Sequence, residues 1–212
     1  DLRLKIINES FKLDKNLTTG TNTISILNSK INTKYNVLDK IIEFESNNSR
    51  MHNSKVNYNG RLAINPFDLD LKIDLDNYKI SDLFISNSVI NEFIESGLLF
   101  NQNISINTLI NINSKIRDKI FHDANIKLKI LNGKINFDNS IFISDDIGSL
   151  KISNSDLFLK NNKLTLATNL SMNIKDTNKL FSFLNTSKNS RKDIKNIKLN
   201  IIYDFATNQI KF

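Results

Sequence analysis

The chain has 212 residues, with 29 Lys and Arg against 22 Asp and Glu for a formal net charge of +7; 35 Asn, 32 Ile and 24 Lys stand beside 5 Gly, 1 Pro and no Cys or Trp. Disulfides and cysteine-based metal or redox centres are excluded, and no run approaches the 18 consecutive apolar residues of a membrane-spanning helix. The 40% apolar content is placed periodically, which excludes a disordered polar tract, and the Asn, Ile and Lys skew is that of a low-GC genome.

At the start, Asp1-Leu2-Arg3-Leu4-Lys5 alternates where a signal peptide would run continuously apolar. With no initial Met, and with Gln209-Ile210-Lys211-Phe212 in strand rhythm at the other end, the chain is expected to be processed or, as the favoured reading, a segment of a longer protein.

The dominant period is two. Asn59-Gly60 is expected to turn a hairpin between Val56-Asn57-Tyr58 and Arg61-Leu62-Ala63-Ile64. Leu69, Leu71, Ile73 and Leu75 then alternate with Asp68, Asp70, Lys72, Asp74 and Asp76, placing the apolar side chains on one face of a strand. From Ser81 to Ser96 the spacing of Leu83, Phe84, Val89, Ile90, Phe93 and Ile94 changes mostly to three and four, predicting a short amphipathic helix or a broken pair of helices, closed by Gly97 as C-cap.

The alternation resumes at Ile104, Ile106, Thr108, Ile110 and Ile112, and again at Ala124, Ile126, Leu128 and Ile130. Asn132-Gly133, suited to a type I′ turn, leads into Lys134-Ile135-Asn136-Phe137. Around Ser153-Asn154-Ser155 the apolar phase slips by one residue, which a β-bulge absorbs. Asn161-Asn162 is a weaker turn before Leu164, Leu166, Thr168, Leu170, Met172 and Ile174. A second short helix, capped by Asp176, carries Leu180, Phe181, Phe183 and Leu184. A Lys-rich segment from Thr186 to Lys198, its first half a loop, leads into the last strand, with Ile197, Leu199, Ile201, Tyr203 and Phe205 on one face.

One-sided alternation marks antiparallel sheet with one apolar and one wet face, since parallel strands covered on both faces read as continuous apolar runs. The fold class is therefore mainly β, an antiparallel sheet with two short helices. Strand, turn, strand, helix recurs about 100 residues apart, in units at roughly 40–97 and 134–185, which points to an extendable architecture.

No catalytic chemistry emerges from this sequence. None of Gly20, Gly60, Gly97, Gly133 and Gly148 has another Gly close enough for a phosphate loop or nucleophile elbow. His52 and His122 lack ligand-spaced partners and read as surface or edge residues. Asp68, Asp70, Asp74 and Asp76 project from one strand face with Lys72 among them and form no calcium loop; Asp145-Asp146 reads as a turn. Lysines are spread among acids, and the basic 188–198 segment has no interleaved aromatics, so nucleic acid is not an expected partner; anionic lipid headgroups suit a diffuse positive rim equally well. No metal or cofactor is expected.

What remains is the apolar face. It can fold into a sandwich or barrel with a side-chain-filled core, or curl into an open groove that shelters acyl chains. Shelter is worth about 0.8 kcal/mol per CH₂, on the order of 12 kcal/mol for a sixteen-carbon tail.

Tyr58-Asn59-Gly60-Arg61-Leu62-Ala63-Ile64-Asn65-Pro66-Phe67-Asp68-Leu69-Asp70-Leu71, running on to Ile80-Ser81-Asp82-Leu83-Phe84, resembles the strand–turn–strand–helix units of AsmA-like proteins. So do 124–137 and 147–184, and the resemblance covers roughly residues 40 to 212 through strand rhythm, hairpins and helix placement. AsmA- and TamB-like proteins are envelope proteins of Gram-negative bacteria, anchored in the inner membrane by an N-terminal helix and extending a curled β-groove into the periplasm. They are implicated in phospholipid transport and outer-membrane assembly.

The resemblance implies an elongated, curled, open-groove segment of one such protein, non-enzymatic, on the periplasmic side of the inner membrane and attached to it through a region outside this segment. Phospholipid is the implied partner, with other envelope proteins beside it. The implied groove lining is Leu69, Leu71, Ile73, Leu75, Ile104, Ile106, Ile110, Ile112, Ile126, Leu128, Ile130, Leu164, Leu166, Leu170, Met172, Ile174, Ile197, Leu199, Ile201 and Tyr203. The alternative class is a structural or adhesive β-repeat that binds a protein by edge pairing.

Overall fold

The computed structural model describes residues 4–26, 28–80, 96–114, 120–160, 163–205, 207 and 209–211. Its strands are β1 (Leu4–Lys12), β2 (Leu17–Ile26), β3 (Ser29–Leu38), β4 (Ile41–Met51), β5 (Ser54–Ala63), β6 (Phe67–Asp76), β7 (Ile104–Asn113), β8 (Asp123–Leu131), β9 (Lys134–Asn136), β10 (Ile141–Ser144), β11 (Gly148–Lys160), β12 (Lys163–Ile174), β13 (Asn196–Asp204) and β14 (Gln209–Lys211). All belong to one curled sheet in chain order, with β9 and β10 sharing the position between β8 and β11. Among the described residues β1 pairs only with β2 and β14 only with β13 at the edges, so the sheet they form is open and not closed into a barrel.

Uniformly antiparallel pairing is corrected at one seam: β6 and β7 run parallel. Parallel neighbours need a crossover instead of a hairpin, and residues 77–103 make that connection. The predicted helix at 81–96 falls almost entirely outside the described residues; Gly97, at its end, has a left-handed φ of 78°. The expected turn at Asn161-Asn162 also lies outside them.

Asn132 and Gly133 have φ of 53° and 72° between β8 and β9, the positive pair that a type I′ turn requires. Asn59-Gly60 is not a turn, and that expectation is corrected: both lie inside β5, and the chain reverses after Ala63 through Ile64-Asn65-Pro66, with a cis Asn65–Pro66 bond. Gly60 serves packing there. An ideal Cβ on it would meet the Asp70 carbonyl oxygen and Phe44 Cζ, each at 2.6 Å.

The bulge expected near Ser153-Asn154-Ser155 is present as a register shift between Ser153 and Asp156, with Asn154 at φ 50°. Asp138 Oδ1 accepts from the Ser155 amide at 2.7 Å and from its hydroxyl at 2.8 Å. A second bulge separates Ser46 from Ser49 in β4. Where the ladder is interrupted, a buried serine stands in for backbone. Ser49 Oγ accepts from the Asn32 amide (2.8 Å) and donates to the Asn32 carbonyl (3.2 Å). Ser140, fully buried in the break between β9 and β10, treats Lys127 the same way, at 2.9 and 3.4 Å. Buried amides are thereby satisfied without a continuous strand.

The second helix, α1 (Thr177–Phe183), forms as the Asp176 signal predicts: its carboxylate accepts from the Lys179 amide at 3.1 Å. Leu180 packs on Ile147 and Ile174, with Met172, Ile194 and Ile197 around them. The hairpins β5–β6 and β11–β12 carry the proposed repeat; the helix is described only after the second.

Candidate functional site

Cross-strand registers show how the apolar positions assemble. One row runs Val37–Ile42–Leu62–Leu69–Ile106–Ile130–Ile135–Leu157–Leu166–Tyr203–Ile210, each residue opposite the next on the neighbouring strand. At about 4.8 Å between strands it traces about 48 Å along the curve. Because β6–β7 register pairs Leu69 with Ile106 and Ile73 with Ile110, the apolar phase passes through the parallel seam unchanged. All twenty residues expected to line a groove share this face.

Their surroundings differ. Leu75, Ile112, Ile126, Ile130, Leu164 and Ile174 are buried in packed clusters. Leu75, Ile112 and Ile126 join Val56, Ile80, Ala124 and Phe142 near one end of the strands, with Ile73, Ile110 and Phe137 against them. Ile130 and Leu164 join Leu99, Ile135 and Leu157 near the other, with Ile104, Ile106, Leu128, Leu166 and again Phe137. Leu69, Leu71, Leu170, Met172, Ile197, Ile201 and Tyr203 are half-buried, and Leu199 is exposed. From β5 to β12 the face therefore packs largely on itself, and it opens toward both edges of the sheet. In β1, Leu4 and Ile6 are 55% and 58% exposed.

The open part on the N-terminal side contains an apolar hollow of about 360 Å³, lined by Asn22, Thr33, Tyr35, Val37, Ile42 and Phe44. Its shape follows from a row of four opposed residues, Gly20–Tyr35–Phe44–Gly60. The Tyr35 ring occupies the place of a Gly20 side chain, with its hydroxyl donating to Asn8 Oδ1 at 3.1 Å. The Phe44 ring occupies the place of a Gly60 side chain and tilts against Tyr58, centroids 6.2 Å apart. Each ring leans over the glycine of its outer neighbour, so the two part and leave Val37 and Ile42 accessible between them.

None of these six residues was among the expected lining. The signal was present in Ile31-Thr33-Tyr35-Val37 and Ile42-Phe44, which alternate with period two, but Thr, Asn and Ser at intervening same-face positions dilute it.

The opposite face is polar. Asn111 Nδ2 donates to Asp74 Oδ1 and Asn125 Nδ2 to Asn111 Oδ1, both at 2.6 Å, while Asn107 Nδ2 reaches Asp70 Oδ1 at 3.2 Å. Asp70 and Asp74 are thus tied into cross-strand amide contacts. Over β3–β7 this face also holds a hollow of about 910 Å³, walled mainly by charged and amide side chains, with Leu109 and Thr19 beside them.

Of the two histidines, His52 is exposed in the β4–β5 turn. His122 is more enclosed than a surface reading gives: its Nε2 lies 3.2 Å from Asp145 Oδ2 and 3.6 Å from Asp123 Oδ2. Asp145 and Asp146 form the expected turn, between β10 and β11.

Among the described residues no group of three His, Cys, Asp or Glu could hold a metal ion, and no helix is long and apolar enough to cross a membrane. No protein-family model, curated protein or solved structure matches this chain.

Proposed function

We propose that this chain binds phospholipid acyl chains on the apolar face of its sheet, as a non-enzymatic segment of an AsmA-like envelope protein on the periplasmic side of the inner membrane, attached to it through a region outside the segment. The observation that carries the reading is the unbroken apolar row through an open sheet, with the uncovered hollow at Val37 and Ile42 as the point of access. Each methylene taken from water contributes about 0.8 kcal/mol, so a continuous apolar strip binds a chain without a specific polar motif. Other envelope proteins would then contribute neighbouring strands or receive the lipid.

Native mass spectrometry of the purified chain, before and after delipidation and reloading with phospholipid, tests this. Lipid adducts are expected, and Val37→Asp together with Ile42→Asp is expected to remove most of them while circular dichroism stays unchanged. Absence of any lipid adduct on the reloaded wild-type chain sinks the reading.

One observation favours the second class, a protein-binding β-repeat: all nine residues of the edge strand β1 are exposed, and among the described residues no strand pairs with its outer side. Crosslinking that captures a protein at β1, with no lipid at Val37, supports that class instead.

A further inference from the structure

The hollow on the polar face has a charge arrangement of its own. Glu43 and Glu45 project from the same side of β4, two residues and therefore about 7 Å apart. Arg61 of β5 stands opposite Glu43, and Lys34 of β3 opposite Glu45, each one strand spacing of about 4.8 Å away. Asn59 completes the wall opposite Glu45 on β5. All are exposed, and among the described residues the charged groups Lys34, Glu43, Glu45 and Arg61 form no ion pair or side-chain hydrogen bond, although opposite charges face each other in register. Two acids are flanked on either side by a cation, and Arg61 also faces Asp70 of β6, whose Oδ1 accepts from Asn107, so a ligand displaces only water from the four unpaired charges.

We propose that this hollow binds a zwitterion whose primary ammonium and anionic phosphate or carboxylate lie about one strand spacing apart, with the ammonium between Glu43 and Glu45 and the anion on Arg61. Phosphate alone meets the two glutamates, and an amine alone meets Lys34 and Arg61, so only the joined pair is matched at both ends. A quaternary ammonium cannot donate hydrogen bonds to the carboxylates and is discriminated against. The site lies on the face opposite the apolar strip and stands or falls separately from acyl-chain binding.

The test is titration of the full chain, ¹⁵N-labelled, with O-phosphoethanolamine, followed by amide shifts of β3–β5. Saturable shifts are expected there. The exposed, isosteric change E43Q/E45Q is expected to weaken binding about tenfold, and R61Q comparably. Phosphocholine, ethanolamine and inorganic phosphate are each expected to bind more weakly than the zwitterion. A parallel flotation assay with phosphatidylethanolamine and phosphatidylcholine vesicles separates a lipid headgroup from a free zwitterion as the source. Inorganic phosphate binding as tightly as O-phosphoethanolamine, unchanged binding in folded E43Q/E45Q, or no saturable shift overturns the proposal.

Discussion

Truncating one isoleucine at two places on the same apolar face separates packed core from open lining. Ile130 is 1% exposed, set between Ile106 and Ile135 in the row and surrounded by Leu99, Leu157 and Leu164. Ile6, on the same face of β1, is 58% exposed. Ile130→Ala removes buried methyl and methylene groups and leaves a cavity that the surrounding strands fill only partly, a loss of about 2–5 kcal/mol. Ile6→Ala removes atoms that already touch water and is expected to stay within about 0.5 kcal/mol. In equilibrium urea unfolding, with a slope of about 3 kcal/mol/M, a loss of about 3 kcal/mol moves the Ile130→Ala midpoint down by about 1 M; Ile6→Ala should overlay the parent curve. If Ile130→Ala costs less than about 1 kcal/mol, the centre of the face is hydrated in solution. The division of the face into dry middle and open margins is then wrong.

Three further substitutions probe the devices that shape the sheet. Gly60→Val places a Cβ where the Asp70 carbonyl and the Phe44 ring lie at 2.6 Å, and is expected to cost about 1–3 kcal/mol by thermal melt despite valine's better strand propensity; adding Phe44→Ala should recover only part, because the carbonyl contact remains. Asp138→Ala leaves the Ser155 amide in the β11 bulge without its acceptor, an expected loss of about 1–3 kcal/mol, with faster hydrogen exchange at Ser155 as the local readout. Asp176→Ala removes the cap of α1 for about 1 kcal/mol, and Asp176→Ser should restore most of it in the same urea assay.

Much of this architecture is written in local pattern. Leu69–Leu75, Ile104–Ile112 and Leu164–Ile174 form strands where alternation places them, Asn132-Gly133 turns where two positive φ values are needed, and the phase slip at Ser153–Ser155 is a bulge. These features depend on neighbours in sequence. Gly60 shows the limit: Asn-Gly flanked by alternation is a strong hairpin signal, but it lost to a contact with Phe44, sixteen residues earlier, whose ring fills the missing side chain's place. The parallel seam was equally hidden, because β6 and β7 each alternate one-sidedly as antiparallel strands do, and nothing local to either states which way its neighbour runs. The tyrosine–phenylalanine hollow depends on four strands at once and has no signature in any one of them.

That seam explains why the polar face carries asparagines in its particular places. Most consecutive strands in the sheet are joined by short connections that fix register, but β6 and β7 are joined by residues 77–103, a connection too long to do so, as 175–195 is between β12 and β13. A slip of one residue there would turn every apolar side chain from β7 onward to the wet face. Two constraints oppose it. On the apolar side, Leu75 and Ile112 meet within one buried cluster. On the polar side, Asp70 meets Asn107, and Asp74 meets Asn111, which continues to Asn125 on β8. Aspartate only accepts and the asparagine amide donates, so at both positions the pair fits as Asp on β6 and Asn on β7, the two pairs four residues apart and therefore on the same face of the pleat. An apolar contact tolerates a neighbouring apolar contact of similar size, whereas a donor displaced by one residue loses its acceptor. The Asp–Asn ladder thus supplies the register that the chain connection does not, and the continuity of the apolar strip on one face depends on hydrogen bonds made on the other.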